Sequence, residues 1–267
     1  HVLNAMRKEE GQLVEEATMV SRELMRVAIS PHELWKAGLD LAYMQYMTKT
    51  DASSVGLMMS TLSQMHEAME EHSEGGSVSS NSSRTGSKRV GDKNGTKQEE
   101  RVQDEGFAEG SGSIGSITLR DISFRHSYGR QLAEAKDLLQ KFSSTGLTIV
   151  LHQLWNVYFG IIMRMDKSLA QQKKVQLHHV SRELTSSRDL RLCVPGTYVP
   201  GEEVVSIAKF VNTLSIISSK QRPRRMAMLG SNGKTYEFLL KGKEDLRQDE
   251  RVMQLFGLIN VCLENNK

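Results

Sequence analysis

The sequence predicts a mainly α fold: an up-and-down four-helix bundle with a disordered insertion, followed by an α+β unit in which a helix lies against a small antiparallel sheet. Three observations predict it. Apolar residues recur at helical spacing in four stretches between residues 31 and 170. Large apolar side chains almost vanish over 73–115. From about Arg188 the apolar runs become short and strand-like, and helical spacing returns only after Glu244.

Residues 1–29 read as one helical stretch, with Val14, Ala17, Val20, Leu24, Val27 and Ala28 on one face. Ser30-Pro31-His32-Glu33 is a capping box with proline at the first helical position, so a new helix starts at Pro31. It carries Leu34, Trp35, Leu39, Ala42, Tyr43 and Tyr46 and runs to about Met47. The next helix spans about Ser54–His72, and its methionine stripe (Met58, Met65, Met69) reads as core. Residues 73–115 are rich in Ser, Gly, Lys and Glu and bury too little to offset the entropy of ordering. Helical spacing returns over Asp121–Ser143 and ends at Gly146, which supplies a left-handed residue. The helix over Thr148–Ala170 is apolar nearly all round, so part of its surface meets something besides its own bundle.

Strand-like runs follow at Leu190–Val194, Val204–Phe210, Leu214–Ile217, Arg225–Leu229 and Thr235–Leu240. Ser231-Asn232-Gly233 joins the last two as a hairpin turn. The last helix runs from Glu244 to about Glu264.

Composition narrows the function. Hydrophobic content of 38% and charged content of 25% are those of a water-soluble protein with a polar segment. A net charge of +3 is too small to imply nucleic acid. The two cysteines, Cys193 and Cys262, lie in separate apolar runs and read as buried free thiols of a reducing compartment. No apolar run approaches the ~20 residues a membrane span needs, and there is no signal peptide. With no initiator methionine, the chain reads as a piece of a longer protein.

Three segments are candidates for phosphate-type chemistry. Gly230-Ser231-Asn232-Gly233 lacks the Lys-Ser/Thr ending of a Walker loop and is a hairpin. Ser218–Arg222 joins two strands, and its serines and basic residues suit either a phosphate-facing loop or an ordinary polar hairpin. Lys241 follows the apolar run Phe238-Leu239-Leu240, so it either reaches solvent or points into a cleft. Asp245 and Asp249, four apart on the following helix, share a face, and one of them can pair with Lys241. Acids suited to a helix N-terminal dipole explain Glu244 and Asp245 well, and Asp249 and Glu250 less well.

The chain also resembles a known family. Arg222-Pro223 before a hairpin, Leu239-Leu240-Lys241-Gly242, and the run Glu244-Asp245-Leu246-Arg247-Gln248-Asp249-Glu250-Arg251-Val252-Met253-Gln254-Leu255-Phe256-Gly257-Leu258 are similar to target-of-rapamycin (TOR) kinases. So is Val194-Pro195-Gly196-Thr197-Tyr198. Residues 16–29 resemble the end of that family's helical-repeat (FAT) region entering its rapamycin-binding (FRB) bundle. Ser127-Tyr128-Gly129-Arg130 and the Trp155 helix resemble the third and fourth bundle helices. Outside the insertion the resemblance covers nearly the whole chain. It implies the FAT end over 1–22, the bundle over 23–172 with its insertion at 73–115, and a kinase small lobe over 173–267.

Activity, cofactors and partners follow from the resemblance alone. The parent would transfer phosphoryl groups from Mg-ATP to Ser/Thr hydroxyls. The catalytic and metal-binding loops belong to the family's large lobe, so this piece should be inactive alone, with no catalytic or metal residue of its own. Ile217, Ser219 and Gln221 correspond to the nucleotide-covering loop, Leu239 to the adenine wall, Lys241 to the phosphate lysine, and Glu244 and Asp249 to the acids around it.

The family's drug and substrate groove corresponds to Leu39, Tyr43, Tyr46, Met47, His152, Trp155, Asn156, Phe159 and Ile162. Tyr43 stands where the family has a small serine, Met47 and Ile162 replace phenylalanines, and His152 and Asn156 replace a threonine and an aspartate. The implied partners are the rapamycin–immunophilin complex, bound weakly, and protein substrates or regulators or a lipid chain at the groove. The implied location is cytoplasmic, with membrane association through the parent's complex. Two other readings stand beside this one: a binding-only helical module without ATP affinity, and a lipid kinase, which shares the Lys241–Asp249 region but lacks a bundle directly before the small lobe.

Overall fold

A computed structural model of the chain describes residues 2–48, 52–74 and 117–264. Beyond its first two positions, the insertion expected over 73–115 lies outside the described residues. The elements run α1 (Val2–Glu9), α2 (Gly11–Ala28), α3 (Pro31–Thr48), α4 (Ala52–Glu74), α5 (Leu119–Thr145), α6 (Thr148–Gln171), β1 (Lys174–Gln176), α7 (Arg182–Ser186), β2 (Ile207–Phe210), β3 (Thr213–Ile216), β4 (Arg224–Gly230), β5 (Thr235–Leu240) and α8 (Leu246–Glu264). A single 3-10 turn, Leu177–His179, links β1 to α7. None of the described helices is long and apolar enough to cross a membrane.

The helix boundaries follow local chemistry. The Ser30 hydroxyl accepts the Glu33 N–H at 3.3 Å, and the Ser30 N–H donates to the Glu33 carboxylate at 2.8 Å. Thr118 and Asp121 repeat that box at the start of α5. Gly146, at φ 64, ends α5 with its N–H on the Phe142 carbonyl. The expected continuous helix over 1–29 is instead two helices, because Glu10 at φ −131 and ψ 58 breaks the path before Gly11.

Helices α3 to α6 close a ring in which each touches its neighbours. Their core is built from Leu39, Met58, Leu62, Leu132, Leu154, Tyr158, Ile161 and Met165. One polar pair sits inside it. His66 is 2% exposed, and its Nε2 lies 2.9 Å from the Tyr158 hydroxyl. Burial pushes the His66 pKa down to about 4, the nearby Lys136 charge adds to this, and Glu70 opposes it. Burial also raises the Tyr158 phenol, so both partners are neutral at pH 7.

The pair predicts acid sensitivity. Above pH ~6.5 His66 is neutral folded and unfolded, and contributes nothing. Between ~6.5 and ~4 the unfolded chain takes up a proton that the folded chain refuses, so stability is lost as pH falls. Denaturant titration should show about 2.5 kcal/mol lost through this group between pH 7 and 4.5. His66→Gln, which keeps a hydrogen-bond partner for Tyr158, should lose less over that interval. An equal loss in both proteins would contradict the assignment.

The sheet is antiparallel and curled, in the order β1-β3-β4-β2, with β5 on the other edge of β4. Gly233 at φ 76 and the Gly233 N–H on the Gly230 carbonyl make the β4–β5 hairpin expected of Asn-Gly. The expected strand Leu190–Val194 is reduced to one bridge, Cys193 to Ser206. Strand β1 and helix α7 lie before Arg188, in a segment the apolar pattern left unassigned.

The core side of the sheet holds Leu214, Ile216, Met226 and Met228 together with Val20 and Val27 of α2. Helix α2 thus packs on the sheet as well as leading into the bundle. The expected packing of the last helix on the sheet is not observed. No residue of α8 is buried, and Val252, Leu255, Phe256 and Ile259 are all exposed. Nothing among the described residues covers its apolar side. Cys262 on α8 is likewise exposed rather than buried, while Cys193 is half-buried.

Candidate functional site

The sheet has one packed face and one open face, and alternation along the strands sorts the candidate residues between them. Arg225 pairs with Leu239 and Ser215, and Met226 pairs with Phe238. Met226 points into the core, so Arg225, Leu239 and Ser215 face outward. Ile217 shares the parity of Ser215, and Lys241 that of Leu239. Ile217 is 42% exposed and Leu239 49% exposed. The sheet therefore brings Ile217, Leu239 and Lys241 to one open face, flanked by Arg225 and Glu237, whose charges lie 3.9 Å apart.

At the end of that face Lys241 Nζ donates to Asp249 Oδ2 at 2.9 Å and lies 2.9 Å from Glu244 Oε2. The hydrogen bonds from the Glu244 and Asp249 carboxylates raise the lysine to about 12, so it is a fixed cation. The other expected partner, Asp245, does not share a helical face with Asp249. It precedes the first residue of α8 and accepts the Arg247 backbone N–H at 3.0 Å and the Arg247 guanidinium at 2.8 Å. Its short side chain turns back on the helix start, as helix-cap chemistry favours, which holds its pKa below the usual carboxylate range.

The Ser218–Arg222 loop joins β3 to β4. Ser219 and Gln221 are exposed, and Ser219 closes the loop by accepting the Arg222 N–H on its hydroxyl at 3.2 Å. Among the described residues no group of three or more His, Cys, Asp or Glu side chains is arranged to hold a metal ion.

The helical groove lies between α3 and α6. Trp155 is 4% exposed and belongs to the bundle core. The Tyr43 ring meets it edge-on at 5.1 Å and meets Phe159 edge-on at 5.3 Å. Tyr46 stacks on Trp155 at 6.1 Å. Leu39 is completely buried beneath them, Ile162 is half-buried, and Met47, His152 and Asn156 are exposed. The groove that the resemblance implies is thus partly filled: two tyrosine rings cover Trp155 and Leu39.

Arg222, one of the basic residues of the loop that suited a phosphate, turns instead to Glu33, and Arg224 and the second role of Glu33 were not expected. Arg224 is buried and reaches from β4 to Glu33 of α3, while Arg222 reaches the same carboxylate from the loop. Arg224 shares the inward parity of Met226 and Met228, which is a readable signal. The second role of Glu33, beyond capping, is not readable from spacing.

Residues 23–81 and 111–167 match the FKBP12-rapamycin binding domain family. Along almost the whole chain the sequence is similar to three serine/threonine-protein kinases. It is 37% identical over 262 residues to tor1 of Schizosaccharomyces pombe, a match covering 98% of this chain and 9% of that protein. It is 36% identical over 262 residues to mTor of Drosophila melanogaster, again over 98% of this chain and 9% of the relative. It is 36% identical over 266 residues to TOR of Arabidopsis thaliana, over 100% of this chain and 9% of the relative. The chain spans 9% of the length of these three relatives.

Proposed function

The chain belongs to the TOR serine/threonine kinase family, and on that premise we propose that its sheet is one wall of an ATP site and its bundle groove a docking site for substrates and regulators. The single observation that carries the reading is Lys241, fixed between Glu244 and Asp249 on the same open face as Ile217 and Leu239. Phosphoryl transfer depends mainly on positioning and charge stabilisation, and Lys241 supplies a cation aimed at phosphate oxygens. The two carboxylates orient its amine. Ile217 and Leu239 offer an apolar seat for the base, and Ser219 and Gln221 lie in the loop over the phosphates. ATP is the phosphoryl donor, with magnesium spreading the phosphate charge. We assign no catalytic base or magnesium ligand to the described residues.

In isolation the chain is proposed to act as a binding module only. The wall formed by Ile217 and Leu239 is open, so an adenine there would stay half in water. Calorimetric titration of this chain with Mg-ATP should give no measurable heat at millimolar nucleotide, and titration with an amphipathic helical peptide should give saturable binding that a bulky charge at Phe159 abolishes. Tight ATP binding would overturn the binding-only reading, and absence of any peptide binding would overturn the groove assignment.

A further inference from the structure

We propose that Glu33, in the first turn of α3, is a positioning residue for the nucleotide loop, acting through Arg222. The proposal rests on the ATP-site reading above.

Glu33 is 3% exposed and accepts from four donors. Two belong to its own capping box, the Ser30 N–H at 2.8 Å and hydroxyl at 3.0 Å. The others come from the sheet: Arg222 Nε at 2.9 Å and Arg224 Nη2. Burial alone would raise the carboxyl pKa. The Arg224 hydrogen bond and charge, with the Ser30 bonds, outweigh burial and hold Glu33 ionised at neutral pH.

Arg222 is where the loop needs outside help. Its φ is 49, in the left-handed region, and it directly precedes Pro223. A branched-free but long L-residue pays for that conformation with steric crowding, and the following proline disfavours helical backbone further. Such a conformation persists when its surroundings over-determine it. Here they do. The Arg222 N–H closes onto Ser219, Nη2 donates to the Gln172 carbonyl at 3.3 Å, Nε is fixed by Glu33, and the Arg222 carbonyl accepts from Arg224.

The chain after Lys241 converges on the same point. A Cβ on Gly242 would lie 2.5 Å from Ile29 Cγ1 and 2.8 Å from the Ala28 carbonyl oxygen, so its backbone lies directly against the α2–α3 break. Lys243 Nζ donates to the Glu33 carbonyl at 3.2 Å. Both sequence neighbours of the nucleotide face, the loop before β4 and the turn after β5, are thus anchored at the start of α3. Helices α3, whose first turn holds Glu33, and α6, which ends at Gln172, are also the two that wall the groove.

A rival account makes Glu33 a buried ion pair that merely joins bundle to sheet. The two differ in kinetics. In the full-length kinase, Arg222→Gln removes the arm while Arg224 keeps Glu33 paired, so the protein should still fold, with a lowered melting temperature because Glu33 Oε1 loses its donor. We expect KM for ATP to rise about three- to tenfold, with kcat within about twofold, the range of coupling between neighbouring groups. Glu33→Gln should raise KM similarly, and the double variant should be no worse than Glu33→Gln alone, because both act through one contact. Wild-type KM in a folded Arg222→Gln overturns the proposal, as does additivity in the double variant. If Glu33→Gln does not fold, Arg222→Gln alone decides. Lys241→Met, assayed in parallel, separates the two claims: retained activity there defeats the ATP-site reading itself, whereas an inactive Lys241→Met beside an unperturbed Arg222→Gln defeats only the positioning role.

Discussion

Lys241→Met in the parent kinase should abolish phosphoryl transfer and leave the fold intact. The lysine sits at the end of the open sheet face, with both carboxylates 2.9 Å from its amine. Met preserves the aliphatic stem and removes the charge. The stem contributes packing; the amine contributes an ion pair open to solvent, which adds little to stability. Glu244 and Asp249 remain partly exposed and can take water when the amine is gone. The transition state has no such substitute. Removing one pre-aimed donor from developing negative charge lowers kcat by about 10²–10³-fold, and here a full positive charge goes as well. A radiometric assay with a Ser/Thr peptide and Mg-ATP, together with a melting curve, checks both halves. Near-normal turnover would show that Lys241 only reaches solvent.

The bundle should bind the rapamycin–immunophilin complex poorly, and Tyr43→Ser should restore binding. An apolar drug arm entering between α3 and α6 must occupy space beside Trp155 and Phe159. The Tyr43 ring fills that space, edge-on to both at 5.1 and 5.3 Å. Overfilling a packed contact costs ~1–3 kcal/mol. Met47, 60% exposed, and Ile162 replace rings that would stack on the drug, at about 0.5–1.5 kcal/mol each. Since 1.4 kcal/mol is tenfold in affinity, these losses amount to about two orders of magnitude or more. Tyr43→Ser removes the steric part and should tighten binding at least about tenfold, with Met47 and Ile162 accounting for what is not recovered. Surface-bound immunophilin with saturating drug, titrated with both proteins, reads this directly. Low-nanomolar binding by the unaltered chain would defeat the prediction, and so would a Tyr43→Ser variant that gains nothing.

Local chemistry was legible in the residues themselves. Ser30 with Glu33 marked the start of α3, Gly146 the end of α5, and Asn232-Gly233 the β4–β5 turn, because each uses hydrogen bonds or backbone conformations spanning a few residues. The helical and strand periods placed the bundle and most of the sheet, since burial on one face repeats along the element that creates it. Lys241 beside acidic residues was readable for the same reason. What spacing could not decide was which of two nearby acids turns toward the lysine: Asp249 does, while Asp245 is taken up by the helix start.

Tertiary structure alone decided the rest. The three-residue β1 and five-residue α7 are too short to show a period, and exist because Val175 and Leu184 find the sheet's core. Val20 and Val27 show one apolar helical face, but nothing in that face names the sheet as its partner. Trp155 read as a groove residue through the resemblance, and only the fold shows it in the core with Tyr43 and Tyr46 packed over it. Glu33 read as a capping residue and is one, yet its remaining lone pairs are met by Arg222 and Arg224, about 190 positions along the chain. Local hydrogen bonds are encoded where they form. A buried charge needs partners that only the folded chain brings within reach, and the residues with the most to say about how bundle and sheet act together are of that second kind.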